Sequence, residues 1–202
     1  FPEGKRFGYL PSYSGSWIVS NESFFPKNDI VNFVKLRASY GEVGNDNIGG
    51  ARFLYLPDTW KTDGSYTFGD LNNQHTISGA DEATLGNPDV TWEVSKEMNL
   101  AIELHLFKSK VSLTYEYYKN NRSNILSYRG TVPDIVQAIL PPYNLGRMSS
   151  WGHNVEFTYN DNFGDFNFYV RGNGAIQKNK ILFMDEAVVP SLKYQAATGH
   201  PV

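Results

Sequence analysis

Glu103 and Glu116 are the two carboxylates of this chain best spaced for joint chemistry. The short turn "FKSK" at 107–110 lies between them, so a hairpin sets them on the polar faces of adjacent strands. Asp89 and Glu93 form a second possible pair. Glycoside hydrolysis needs two carboxylates about 5–10 Å apart in a cleft. A polar wall facing water accounts for Glu103 and Glu116 without catalysis, so neither a catalytic residue nor a cofactor is expected. Metal chemistry fares no better. Of His75, His105, His153 and His200, only His105 shares a strand face with a second ligand, Glu103, and two ligands do not make a site. Neither "GNDNIGG" nor "GDLNNQ" supplies both the sixth-position glycine and the twelfth-position glutamate of a calcium loop, and both read as turns. "RGNGAI" lacks the third glycine of a dinucleotide loop and reads as a glycine-bearing strand end.

Aromatic rings in polar loops are the remaining candidates for ligand contact. Trp60 and Tyr66, with Tyr55 and Phe68 nearby, lie in one long loop, and Tyr143 lies in "PPYNLG". A rigid flat ring can stack on a sugar face, which makes Trp60, Tyr66 and Tyr143 the candidate substrate-binding residues. The same rings would also serve to pack the loops upon themselves or against a partner protein.

These residues sit on, or between, segments that alternate with period two. Phe7 to Val19 puts Tyr9, Tyr13 and Trp17 opposite serines, and Val34, Leu36, Ala38 and Tyr40 oppose Lys35, Arg37 and Ser39. Met98, Leu100, Ile102, Leu104 and Leu106 oppose Asn99, Glu103 and His105; beyond "FKSK", Val111, Leu113, Tyr115 and Tyr117 oppose Ser112, Thr114 and Glu116. Val155, Phe157 and Tyr159 oppose Glu156 and Thr158, and after the turn "NDNFGD", Phe166, Phe168 and Val170 oppose Asn167, Tyr169 and Arg171. The connections at roughly 43–92, 120–150 and from 177 onward are long and rich in Gly, Asn, Asp and Pro. Compact soluble domains keep both sets of connections short. Two-faced strands of about 9–11 residues, with short turns at one end and long loops at the other, are what an outer-membrane barrel requires.

Composition agrees. Aromatic residues make up 15% of the 202 residues, beside 18 glycines and no cysteine, which favours strands and turns and excludes disulfides. With 18 basic against 21 acidic residues there is no basic stripe for nucleic acid. No apolar run is long enough for a membrane helix. The expected fold is all-β: antiparallel up-and-down strands forming part of a large transmembrane β-barrel, with long extracellular loops. Its polar face, carrying Lys35, Arg37, Glu103, His105, Glu116, Glu156 and Arg171, would line a hydrated lumen, and the mixed sign suits a neutral or weakly charged solute. Tyr9, Trp17, Tyr40, Tyr117 and Tyr118 are expected in interfacial girdles. The rival expectation is a soluble β-sandwich, a carbohydrate-binding or adhesin module, in which the apolar faces would meet in a core.

The blocks "RFGYLPS", "VKLRASYGEVGNDNI", "NPDVTWEVSKEMNLAIEL", "RSNIL", "RGTVP", "PPYNLGRM" and "KNKILFMDEA" resemble the barrel region of the SusC/RagA family of TonB-dependent outer-membrane transporters of Bacteroidetes. The resemblance implies that residues 1–202 are part of a barrel of about 22 strands, with a plug domain and further strands elsewhere in a longer protein. It also implies the Gram-negative outer membrane and import of glycans or peptides. The implied partners are a SusD-like lipoprotein, the TonB complex and outer-membrane lipid. One departure is "WGHNVEF", where the family pattern has a basic residue before the glycine and an acidic one two places after it; here Trp151 and Asn154 stand there.

Overall fold

The computed structural model describes residues 1–47, 53–57, 64–70, 72–80, 84–133 and 139–202. Among the described residues eight strands form: β1 Ser12–Ile18, β2 Val31–Asn45, β3 Ser65–Asp70, β4 Asn73–Ser78, β5 Glu93–Leu106, β6 Val111–Ser127, β7 Tyr143–Phe163 and β8 Phe166–Phe183. Six of them make one antiparallel sheet in the order β1-β2-β5-β6-β7-β8, and β3 pairs only with β4. Apart from that inserted hairpin, each strand pairs with its sequence neighbour, the pattern of an up-and-down barrel wall. The sheet does not close.

Three connections share one end of the sheet: 19–30, 107–110 and the two residues Gly164 and Asp165. Phe163 pairs with Phe166, and Gly164 takes φ +62 at the first central position, where a type II′ turn needs glycine. In the other turn Phe107, Lys108 and Ser109 are all left-handed (φ 54, 58 and 64), a costly run for side-chain-bearing residues. The β1–β2 connection holds it in place. Phe107 N donates to Ile30 O (2.7 Å), Ser109 N to Asn32 Oδ1 (3.1 Å), and Lys108 pairs with Asp29 (3.3 Å).

Register explains the two faces. Rows of facing residues run straight across the sheet, for example Trp17, Leu36, Ile102, Tyr115, Val155 and Gly174. Because side chains alternate along every strand, the whole apolar set falls on one side. Among the described residues no second layer covers that side. Leu100 is 45% exposed, Val170 52% and Ile176 67%. The chain exposes 14662 Å², whereas a water-soluble protein of 22.8 kDa exposes about 9,600 Å². This rules out the sandwich: there is a single layer, and its apolar face meets no second sheet.

The strands run further than the alternation implies. β6 continues to Ser127, β7 already begins at Tyr143 and β8 extends to Phe183, so much of 120–150 and 177–183 is strand rather than loop. In these stretches both faces carry polar residues, as Asn120, Asn121, Ser149, Ser150 and Lys178 to Lys180 show, and a strand with two like faces has no period-two signal. Conversely, β1 is shorter than expected, starting only at Ser12. The β3–β4 hairpin falls inside what reads as loop.

Candidate functional site

The seven predicted polar-face residues do share one face. Lys35, Glu103, Thr114, Glu156 and Asn173 form one register row; Arg37, Ala101, Glu116 and Asn154 form the next; Phe33, His105 and Ser112 lie on the other side, with Thr158 and Arg171 continuing that row. Arg37 Nη2 donates to Glu116 Oε1 at 3.0 Å, reaching from β2 to β6 across β5. It can do so because the residue between them, Ala101, has only a methyl group to set beneath the reaching guanidinium and is itself only 6% exposed. Arg171 Nη2 donates to Glu156 Oε1 at 2.6 Å, and His105 Nε2 lies 3.5 Å from Glu103 Oε1. Lys35 makes no ion pair among the described residues. Lys35, Arg37, Glu103, Glu116, Asn154 and Glu156 line a polar concavity of about 510 Å³. Cations and carboxylates are interleaved there, so the surface offers hydrogen bonds of both kinds and little net charge.

Tyr118 faces this polar side, not the apolar girdle expected of it. It sits opposite Gly152, where a Cβ would come within 2.6 Å of the Tyr118 hydroxyl and of Ile176 O. The ring thus fills the space a side chain at 152 would occupy. Trp17, Tyr40 and Tyr117 do point to the apolar side, while Tyr9 precedes the sheet and is 88% exposed. At "WGHNVEF", Trp151 is outward and Asn154 lines the polar concavity.

The loop aromatics are not gathered together. Trp60 lies outside the described residues. Tyr66 stands on the exposed apolar face of the β3–β4 hairpin with Phe68 (ring centroids 4.7 Å), His75 and Ile77. Tyr143 opens β7 and has the Arg129 guanidinium 5.7 Å from its ring centroid.

The most buried residues lie at the loop end, and the sequence reading did not single them out. Asn87 and Val90 are each 1% exposed. Asn87 Nδ2 donates to Pro142 O (2.9 Å), its Oδ1 accepts from Asp89 N (3.0 Å), and its own N donates to Leu54 O (2.9 Å). Asn144 grips Thr91 and Asn124 in the same way. A second junction joins Gly130 N to Asp185 O (2.9 Å) and Thr131 Oγ1 to Asp185 Oδ1 (2.8 Å). Adjacent Glu186 accepts the amides of Ala197 and Thr198, both at 2.7 Å, and these hydrogen bonds hold its carboxyl below the usual carboxylate range. The available signal was pairwise: the blocks "NPDVTW" and "PPYN", and "RGT" and "MDEA", are partners in space.

An antiparallel meander with one open apolar face, one mixed-charge polar face, tight turns at one end and long connections at the other is a segment of a transmembrane β-barrel wall. The comparisons agree. The family described as "TonB dependent receptor-like, beta-barrel" matches residues 3–199, and the chain belongs to it. It is 28% identical over 181 residues to TonB-dependent receptor P39 of Formosa agariphila, covering 80% of this chain and 16% of that protein. It is 24% identical over 163 residues to TonB-dependent receptor SusC of Bacteroides thetaiotaomicron, covering 79% of this chain and 15% of that protein. Among solved structures, the RagAB peptide importer in its "open-open" state superposes with a TM-score of 0.73 at 20% identity, over 95% of this chain and 20% of that one. The chain thus spans less than a fifth of the length of these curated relatives.

Proposed function

We propose that the chain forms part of the wall of an outer-membrane TonB-dependent importer of glycans or peptides. In this reading a SusD-like surface lipoprotein works with the barrel and the TonB complex energises it. The observation that carries the reading is the division of the sheet: Trp17, Leu36, Ile102, Tyr115 and Val155 of one row, with Leu100, Tyr117 and Ile176 of the next, stand on one side, and Arg37, Glu116, Glu156 and Arg171 line the other. Lipid takes the first face and the aqueous lumen the second. The interleaved charges favour neutral or weakly charged solutes by passive selectivity, and no residue here performs chemistry. The long connections lie at the cell surface, where Tyr66 and its hairpin neighbours present an aromatic face to substrate or to the lipoprotein. Uptake of labelled oligosaccharides and oligopeptides by cells lacking the full-length gene tests this. The expected result is loss of uptake of one class, restored by the gene only in cells with functional TonB; uptake indifferent to both deletions would refute it.

A further inference from the structure

Three lysines on the apolar side of the sheet have no counter-ion among the described residues. The outward row above the apolar ones reads Tyr13, Tyr40, Met98, Lys119, Trp151 and Lys178, and the row beyond it reads Glu42, Lys96, Asn121, Ser149 and Lys180. Lys96 is neutralised by Glu42 at 3.2 Å. Lys119, Lys178 and Lys180 are exposed and form no ion pair among the described residues. They are also close together. Lys119 and Lys178 flank Trp151 on neighbouring strands, so their backbones are about 10 Å apart, and Lys180 follows Lys178 on the same face after about 7 Å.

The surface below them is shaped to take chains. Gly172 and Gly174 face the apolar side opposite Phe157 and Val155, and a Cβ at either glycine would meet nothing within 4 Å. Ile176, 67% exposed, lies between this bare strip and Lys178. An ammonium on a long stem just beyond an apolar band, beside an indole, is placed at headgroup depth. Three such groups without carboxylates select an anion, and an anion joined to acyl chains fits both the lysines and the strip beneath.

We propose that Lys119, Trp151, Lys178 and Lys180 form a docking patch on the outer wall of the barrel for the phosphate groups of an anionic lipid of the outer leaflet, whose acyl chains lie along Ile176, Gly174 and Gly172. The proposal rests on the outer-membrane reading, with the long connections at the cell surface. The three lysines together favour phosphorylated over neutral lipid by more than about tenfold.

The test uses the full-length protein in nanodiscs of neutral phospholipid, titrated with phosphorylated lipid A and followed by native mass spectrometry. Wild type should retain lipid A. The triple variant K119Q/K178Q/K180Q should lose it by more than about tenfold, K119R/K178R/K180R should keep it, and K96Q should behave as wild type. Thermal melting in neutral detergent checks that the variants fold. Equal retention by the folded triple Gln variant, or equal loss in K96Q, overturns the patch. Separately, Ser65→Cys in intact cells reports the premise. Labelling by an impermeant thiol reagent places the patch in the outer leaflet, whereas no labelling there with labelling at Ser109→Cys refutes the topology itself.

Discussion

The side-chain amide of Asn144 pairs with the backbone of Thr91 as a strand neighbour would: Oδ1 accepts from Thr91 N at 2.9 Å and Nδ2 donates to Thr91 O at 2.8 Å. The same Nδ2 donates to Asn124 O at 2.7 Å, at the point where the β6–β7 ladder is bulged and Asn124 is left-handed (φ 59). One amide thus satisfies backbone groups of Thr91, ahead of β5, and of Asn124, which the bulge leaves out of the ladder. Replacing Asn144 with Ala leaves them unpaired in a half-buried junction, at a cost of about 2–4 kcal/mol. In the purified full-length protein, Asn144→Ala should speed proteolysis within 46–92 and deprotect the Thr91 amide in hydrogen exchange. An unchanged Thr91 exchange rate would show that the junction does not depend on this side chain.

Gly152 and Tyr118 form a second interlock. Gly152→Val places carbon where the Tyr118 hydroxyl and Ile176 O already stand, which should cost about 1–3 kcal/mol. In the Tyr118→Ala background the same substitution should cost less, though not nothing, because Ile176 O remains. A double-mutant cycle on thermal stability measures the coupling, and strict additivity would contradict the packing described.

Depth in the membrane separates neighbouring residues. Ile102 lies in the middle of the apolar rows and Glu103 beside it faces the polar concavity. Ile102→Arg should therefore destabilise by about 2–4 kcal/mol in a bilayer unfolding assay of the full-length protein, and Glu103→Arg by much less. Equal costs for the two would deny the assignment of the faces.

The Glu186 junction should be acid-labile. Hydrogen bonds from Ala197 N and from Thr198 lower its carboxyl pKa in the folded protein. A group depressed in this way stabilises at pH above its unfolded value and loses that contribution as pH falls through the folded one. The protection of the Ala197 and Thr198 amides, taken relative to their intrinsic exchange rates at each pH, should thus be high at neutral pH and fall once the pH drops below the usual carboxylate range. Glu186→Gln should remove most of this pH dependence, and a pH-dependent Gln variant would point to another group.

The class of protein was legible in the residues alone because one physical constraint wrote it. A strand between lipid and water must alternate, and Leu100, Ile102 and Leu104 against Glu103 and His105 fit that wall once the connections prove long at one end and short at the other, although only the uncovered apolar face separates it from a sandwich. The polar-face set from Lys35 to Arg171 was legible for the same reason: parity along a strand is a local property. Parity did not suffice for Tyr118, whose ring is amphipathic enough for either face and whose neighbour across the ladder, Gly152, lies far away in sequence. Strand ends were hidden where both faces carry polar residues, as in β6 beyond Lys119 and β7 before Trp151. The loop-end core was hidden too, since Asn87 and Asn144 look like turn residues until the fold brings Thr91, Asn124 and Pro142 to them. Only the register, which depends on every pair of strands at once, shows that Arg37 reaches Glu116 over Ala101 and that Lys119 and Lys178 stand on either side of Trp151.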